Sequence, residues 1–152
     1  MDLIAQLIAE HQEFVHLLTH LAETVDAVKA NGRGNYFVAT LDSLMLPLTK
    51  ELDDHALREE KFLFPRIVER GDTTQVILQM VEEHGAIRSE SAAFERHYGE
   101  WKAGDDQALP LWTAHAIELR GKFSAHMQKE NLIVFPMARR ILTADELAHL
   151  AE

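Results

Sequence analysis

Two stretches of the chain share one pattern, which constrains the fold more than any other feature. HALREEKFLFP (55–65) and HMQKENLIVFP (126–136) have four identities, namely His55 and His126, Glu59 and Glu130, Phe64 and Phe135, and Pro65 and Pro136. The His-x-x-x-Glu spacing alone is common in a chain with nine His, but Phe and Pro are scarcer, with seven and four copies. Residues four apart on a helix project from the same face. The repeat therefore predicts two helices that each offer an imidazole and a carboxylate to one site.

The composition limits what the chain can bind. A net charge of −10 argues against nucleic acid and anionic membrane surfaces, because both require clustered Lys and Arg. No cysteine is present, which excludes disulfides, thiolate-bound zinc and iron–sulfur clusters. Any metal must therefore be bound by imidazole and carboxylate groups.

Length and hydropathy predict one domain spanning 1–152, because 152 residues with 47% hydrophobic content can bury one sizeable core. The first twelve residues lack the basic region of a signal peptide, and no run of 18 apolar residues predicts a membrane span. We therefore expect a cytoplasmic protein with no membrane partner.

Apolar periodicity predicts four long helices at about 3–30, 36–70, 72–101 and 109–141, then a short helix capped by Thr143 and Glu146. Asp72 and Gln75 resemble a capping box, and Pro47 and Pro65 predict kinks in the second helix. No segment alternates with the period of a strand. The predicted fold is all-α, an up-down-up-down four-helix bundle with a short C-terminal helix.

The first helix of each predicted pair also carries a matching His. AEHQEF around His11 resembles EEHGAI around His84, and each precedes a His-x-x-x-Glu pair by a similar distance. The interior of the bundle would then hold six candidate metal ligands, which are His11, His55, Glu59, His84, His126 and Glu130.

Four imidazoles and two carboxylates suit two metal ions, each bound by two His, with both Glu as bridging ligands. An octahedral ion would keep about two positions for a bridging oxide or hydroxide and an exogenous molecule. Bridging carboxylates favour iron, while zinc or manganese also fit the ligand types. Two other interpretations stay open. Each His-x-x-x-Glu pair can be a plain ion pair, and Glu13 with His16 and Glu146 with His149 match the Glu-x-x-His spacing of ferritin-like sites.

These residues resemble the hemerythrin-like domains of the His-His-Glu cation-binding type over essentially the whole chain. The resemblance implies an oxo- or hydroxo-bridged di-iron centre in which His11 and His55 bind one iron, His84 and His126 bind the other, and Glu59 and Glu130 bridge. Oxygen-carrying hemerythrins have a second His one turn after the helix-three ligand, where this chain has Arg88. That departure argues against simple reversible oxygen carriage.

The expected function is binding of dioxygen, nitric oxide or a related small ligand, including peroxide, for sensing, storage or detoxification. The alternatives are a di-iron enzyme acting on peroxide or nitric oxide, an iron-centre repair protein, and a bundle in which the metal only holds the fold. Repair proteins of the wider family often carry a cysteine that this chain lacks.

Some further residues are expected around the centre. Glu51 and Lys122 lie one turn before His55 and His126, and each could either orient the imidazole or be a plain solvated charge. His115 could line an access path. Aromatic and aliphatic residues are expected to wall the site against water, and these are Phe62, Phe64, Phe123, Ile133 and Phe135.

Overall fold

The computed structural model describes residues 1–71 and 73–152, with only the backbone described at position 35. Within these described ranges five helices follow one another, which are α1 Leu3–Asn31, α2 35–70, α3 Thr74–Lys102, α4 109–141 and α5 Ala144–Leu150. A 3₁₀ turn at Asp106–Ala108 precedes α4. The described residues contain no strand, so the predicted all-α class is confirmed. None of the described helices is both long and apolar enough to cross a membrane.

Local sequence signals explain where the helices begin and end. The Asp2 carboxylate accepts a hydrogen bond from the backbone N–H of Ala5 at 2.8 Å, and this contact begins α1. Gly32 ends α1 with φ of +77°, a conformation that glycine adopts without strain. The predicted capping box of α5 is present, with Thr143 and Glu146 each accepting from the other's backbone N–H. The other predicted cap, at Asp72, lies outside the described residues.

Wide π-helical turns lie at or just before prolines inside α2 and α4. These turns lie at Pro47–Glu51 and Glu59–Leu63 in α2 and at Glu130–Val134 in α4. Pro65 and Pro136 lie two residues after the last two turns end, and a proline ring crowds the carbonyl four residues earlier. A five-residue spacing, with the Phe64 N–H bonded to the Glu59 carbonyl, relieves that clash. The Phe-Pro repeat thus marks two matching turns, and each begins at a candidate ligand.

The buried apolar side chains that the structure describes form two clusters. The larger, here called the aromatic cluster, includes Phe94, Tyr98, Trp101 and Trp112 together with leucines of α1 and α2. The smaller, here called the C-terminal cluster, packs Leu147 of α5 with buried residues of the other helices, among them Leu3, Ile4, Leu7, Phe64, Ile77, Met80 and Phe135.

The candidate ligands lie between these clusters along the helices. On α1, residues 3–7 belong to the C-terminal cluster and residues 14–28 to the aromatic cluster, with His11 between them. On α3, His84 lies between residues 77–80 and 87–101 in the same way. The two clusters therefore enclose the polar centre from both sides and exclude water from it. That residues 1–152 form a single domain stays a prediction.

Candidate metal centre

All six candidate ligands are buried and lie together. His11, His55, Glu59, His84, His126 and Glu130 each expose 3% or less of their surface. They form two groups in which one ligand atom per residue lies within 4.8 Å of the others. One group is His11, His55, Glu59 and Glu130, and the other is Glu59, His84, His126 and Glu130. Glu59 and Glu130 are members of both groups. This arrangement suits two adjacent metal positions that share both carboxylates.

The first group joins α1 and α2 to the C-terminal part of α4. The His11 Nε2 lies 3.1 Å from the His55 Nε2 and 3.2 Å from the Glu130 Oε1. The His55 Nε2 lies 3.5 Å from the Glu59 Oε1, one helical turn later. Ligand atoms bound about 2.1 Å from a single ion are about 3 to 3.5 Å apart. The observed spacing therefore suits one ion without large side-chain movement.

The second group repeats this geometry with α3 and α4. The His84 Nε2 lies 3.2 Å from the Glu59 Oε1, and the His126 Nε2 lies 3.3 Å from the Glu130 Oε1. The His84 and His126 rings have centroids 4.7 Å apart. Glu59 thus contacts His55 and His84, while Glu130 contacts His11 and His126, so each carboxylate faces both pairs of imidazoles.

The polar atoms in the centre lack the hydrogen bonds that buried polar groups require. Both carboxylate oxygens of Glu59 and Glu130, both ring nitrogens of His84 and the Nε2 of His126 have no hydrogen-bond partner. Leaving such groups buried and unpaired costs on the order of 1 to 3 kcal/mol each, and more for a charged group. Nitrogen and oxygen lone pairs that converge in this way fit a cation. The donor set therefore fits a metal centre.

The pKa values of the two shared glutamates are shifted in opposite directions. Burial, followed by the negative charge of Glu130, raises the pKa of Glu59 well above its usual value. Burial raises the pKa of Glu130 too, but the neighbouring Glu59, His11 and His126 outweigh burial and hold that pKa well below the usual value. Burial, followed by the charge of His126, lowers the pKa of His84 to about 4. The His84 imidazole is therefore neutral near pH 7, the form that binds metal.

Two carboxylates that sequence reasoning missed hold the imidazoles of the repeat. The Glu10 Oε2 lies 2.6 Å from the His55 Nδ1, and the Glu83 Oε1 lies 2.9 Å from the His126 Nδ1. Each carboxylate also binds a cation, Arg58 for Glu10 and Lys129 for Glu83. Such a partner fixes which ring nitrogen faces a metal and increases its basicity.

The signal for these carboxylates was present in the sequence, because a Glu directly precedes both His11 and His84. The prediction that Glu51 and Lys122 orient the imidazoles is wrong. Glu51 is exposed, while Lys122 binds Glu90. A partner one turn away on the same helix lies beside the ring, whereas a neighbouring helix can face its Nδ1 atom.

The other two imidazoles contact the residue that follows each shared glutamate. The Asn131 Oδ1 lies 2.8 Å from the His11 Nδ1, and the Glu60 Oε2 lies 3.4 Å from the His84 Nδ1. Asn131 and Glu60 occupy the same position of the repeat and differ in charge.

The repeated phenylalanines pack on these same two imidazoles. Phe135 stacks on His11 with centroids 5.4 Å apart, and Phe64 stacks on His84 at 5.8 Å. Phe14, which was not predicted to wall the site, meets the His55 ring edge-on at 5.5 Å and also contacts Phe123. Phe64 and Phe135 therefore pack on candidate ligands as predicted, whereas Phe123 packs on Phe14.

Two residues predicted to wall the site do not do so. Phe62 is 47% exposed and Ile133 is 54% exposed. Both belong to the π-helical turns, where the wider backbone turns them outward. The helical period alone could not reveal this change of phase.

Arg88 does not approach either shared glutamate. Its guanidinium binds Glu60 at 2.6 Å and also Asp53, so it joins α3 to α2 outside the centre. The His115 Nδ1 lies 2.7 Å from Glu90, and its ring stacks on His97 rather than on a candidate ligand.

The ferritin-like alternative finds no support among the described residues. Glu13 and His16 are exposed on α1. Glu146 binds Arg70 and the α5 cap, and His149 is 80% exposed. Neither pair belongs to a described group that could hold a metal.

The helical fold and the two buried, overlapping groups of His and Glu are the features of a helical metal-binding protein. The sequence profile of the hemerythrin HHE cation-binding domain matches residues 2–138, and the chain belongs to this family. No curated protein matches the sequence. The family resemblance seen in the sequence is thereby confirmed.

Proposed function

We propose that this protein is a non-haem di-iron protein that binds a small ligand such as dioxygen, nitric oxide or peroxide. The observation that carries the proposal is the convergence of six buried ligand atoms at 3.1 to 3.5 Å, in two groups that share both glutamates. His11 and His55 would bind one iron, His84 and His126 the other, and Glu59 and Glu130 would bridge. Zinc or manganese fits the same ligand types.

The proposed ligand count leaves room for a reaction partner. Each metal would have four protein ligands, so an octahedral ion would keep about two positions for a bridging oxygen and an exogenous molecule. Two irons held by these residues would supply the capacity to exchange electrons with a diatomic or peroxide ligand. The protein contributes the imidazoles, the shared carboxylates and the rings of Phe14, Phe64 and Phe135, which pack on the imidazoles and exclude water.

The proposed bundle is up-down-up-down, which brings the ligands of all four long helices to one level. Contacts that support opposite directions for α1 and α4 are those of His11 with Asn131 and of Phe14 with Phe123. As the residue number increases on one helix it decreases on the other. Arg88 with Asp53 and Tyr98 with Asp42 support the same relation between α3 and α2.

Arg88 favours a second candidate function, a di-iron enzyme acting on peroxide or nitric oxide. In place of a fifth protein ligand, Arg88 binds Glu60 and Asp53. Both metal positions would then keep open sites, a condition for turnover. Sustained consumption of peroxide or nitric oxide by the iron-loaded protein would favour the enzyme, and a stoichiometric, reversible spectral change would favour the binding protein.

Metal analysis combined with visible spectroscopy tests the proposal. Purified protein is reconstituted with ferrous iron under anaerobic conditions, assayed for iron and exposed to oxygen. We expect two irons per chain, one for each group, and charge-transfer bands of an oxygen-bridged pair that disappear on reduction. A chain that retains a single iron, or that shows no such bands when fully loaded, would refute the di-iron proposal.

A further inference from the structure

The two proposed metal positions have equivalent ligands but different surroundings. Each would have two histidines and a share of the same two glutamates, and Arg88 adds no ligand to either. The clear difference among the direct partners of the four imidazoles lies at the residue after each shared glutamate. That residue is Glu60 beside His84 and Asn131 beside His11.

Asn131 gives His11 a neutral partner. Its amide oxygen accepts from the His11 Nδ1 at 2.8 Å, which orients the ring without adding charge. Glu60 instead brings a carboxylate to 3.4 Å from the His84 Nδ1. These two atoms form no hydrogen bond, so the Glu60 carboxylate acts through its negative charge, which offsets part of the charge of a bound ion.

Arg88 does not cancel the charge of Glu60 fully. Its guanidinium is shared between Glu60 and Asp53, so this cluster has two carboxylates and one cation. The remaining two imidazoles, those of His55 and His126, have neighbours with the same set of charges. Glu10 with Arg58 faces His55, and Glu83 with Lys129 faces His126, which gives one carboxylate and one cation in each case.

Other carboxylates do lie near the first position. Glu13, Glu51 and Asp54 line a surface cavity of about 210 Å³ together with Glu10 and Arg58. These three side chains are exposed, so water and salt screen their charge. Glu60 lies directly behind a ligand ring and is partly buried, and its effect is screened less.

We propose that the two positions bind divalent cations with unequal affinity, that the His84–His126 position fills first, and that Glu60 and Asn131 set this order. The inference rests on the proposed two-metal function and concerns how that centre is assembled. It assigns Glu60 and Asn131 as positioning residues, because each acts through an imidazole and neither belongs to the groups of candidate ligands.

Zinc titration against a competing chromophoric chelator tests the order without any iron chemistry. The wild-type protein is expected to bind two Zn²⁺ in steps separated by more than the statistical factor for equal sites. Glu60→Gln should weaken the tighter step about tenfold. Asn131→Asp, which supplies a carboxylate of nearly the same shape, should strengthen the weaker step by about the same factor, and in both variants the two steps should approach each other.

A matched variant and a direct measurement assign the steps to positions. Glu23→Gln changes an exposed glutamate of α1 and should leave both steps unchanged. In the wild-type protein, histidine ring NMR signals of His84 and His126 should respond to the first equivalent of Zn²⁺, and those of His11 and His55 to the second. His126→Gln should remove the tighter step, provided that circular dichroism shows intact helices.

The outcomes separate this inference from the proposal on which it rests. Two ions bound with equal affinity, or His11 and His55 responding first, would overturn the order while leaving the two-metal centre intact. Steps that do not move in Glu60→Gln and Asn131→Asp would refute the role of these residues. A wild-type chain that binds fewer than two ions would refute the two-metal function itself.

Discussion

The two halves of the molecule, α1 with α2 and α3 with α4, carry the same sequence elements and yet neither forms a complete site. Glu59 of the first half contacts His84 of the second, and Glu130 of the second contacts His11 of the first. The stacked rings cross in the same way, Phe64 onto His84 and Phe135 onto His11. The carboxylate behind each repeat histidine instead remains within its own half, as with Glu10 and His55.

This comparison shows what the repeat requires. The glutamates that directly precede His11 and His84 contact a histidine of their own half. The shared glutamates and the residues after them in the repeat also contact a histidine of the other half. A change at a shared glutamate should therefore damage both metal positions, because Glu59 and Glu130 belong to both groups. The same change at a residue that acts within a half should affect one metal position more than the other.

The largest expected effect is on a crossing ligand. Glu130→Ala should reduce metal content at both positions, because this carboxylate faces His11 and His126 and no nearby group replaces it. Iron per chain after reconstitution is the measurement, with Glu23→Ala on exposed α1 surface as the control. Retention of two irons would contradict the assignment of Glu130 as a ligand.

The next largest effect is a loss of stability when a phenylalanine that stacks on a histidine of the other half is removed. Phe64→Ala and Phe135→Ala should each lower the free energy of unfolding by about 3 to 5 kcal/mol, since each leaves a cavity beside a buried imidazole. Phe62→Ala is the matched control, because this neighbouring ring is 47% exposed and its loss should cost little. Chemical denaturation measures all three, and equal losses at positions 62 and 64 would contradict the packing described.

A smaller effect is expected at the residues that act within a half. Glu10→Gln and Glu83→Gln should each weaken metal affinity about tenfold, because the ring nitrogen loses its anionic partner. Glu51→Gln, at a residue first expected to orient His55, should leave affinity unchanged. Competition titration distinguishes these cases. An effect of Glu51→Gln as large as that of Glu10→Gln would restore the original expectation.

The smallest effect tests a feature that distinguishes the halves, the additional π-helical turn at Pro47–Glu51 in α2. The buried Ser91 hydroxyl of α3 donates to the Leu48 carbonyl in this turn at 2.6 Å. Ser91→Ala should lower the free energy of unfolding by about 1 to 2 kcal/mol, because the carbonyl loses its buried donor. Ser89→Ala, at an exposed position of the same helix, is the control for thermal or chemical denaturation.

Sequence reasoning predicted the helices and the six candidate ligands because both depend on short-range spacing. His55 and Glu59 are four residues apart, and such a pair shares a helix face wherever the helix lies. The lone histidines were found from a similar local match, and the structure brings all six residues together. Their role as metal ligands stays a prediction until metal content is measured.

The partners of the imidazoles could not be predicted in the same way. Glu10 faces His55 across 45 positions of sequence, and Asn131 faces His11 across 120. These contacts depend on which helices adjoin and at what level. The outward turn of Phe62 has another cause, since a π-helical turn changes the phase of a helix and periodicity assumes that the phase is constant.

The sequence by itself determined the helical class, the duplicated ligand pattern and the restriction to imidazole and carboxylate chemistry, because these follow from residue type and from spacing within a helix. Tertiary structure alone decided which two histidines each glutamate contacts and that Glu60 and Asn131 lie behind different histidines. Those relations depend on contacts between helices far apart in the chain, where packing rather than local spacing selects the neighbours.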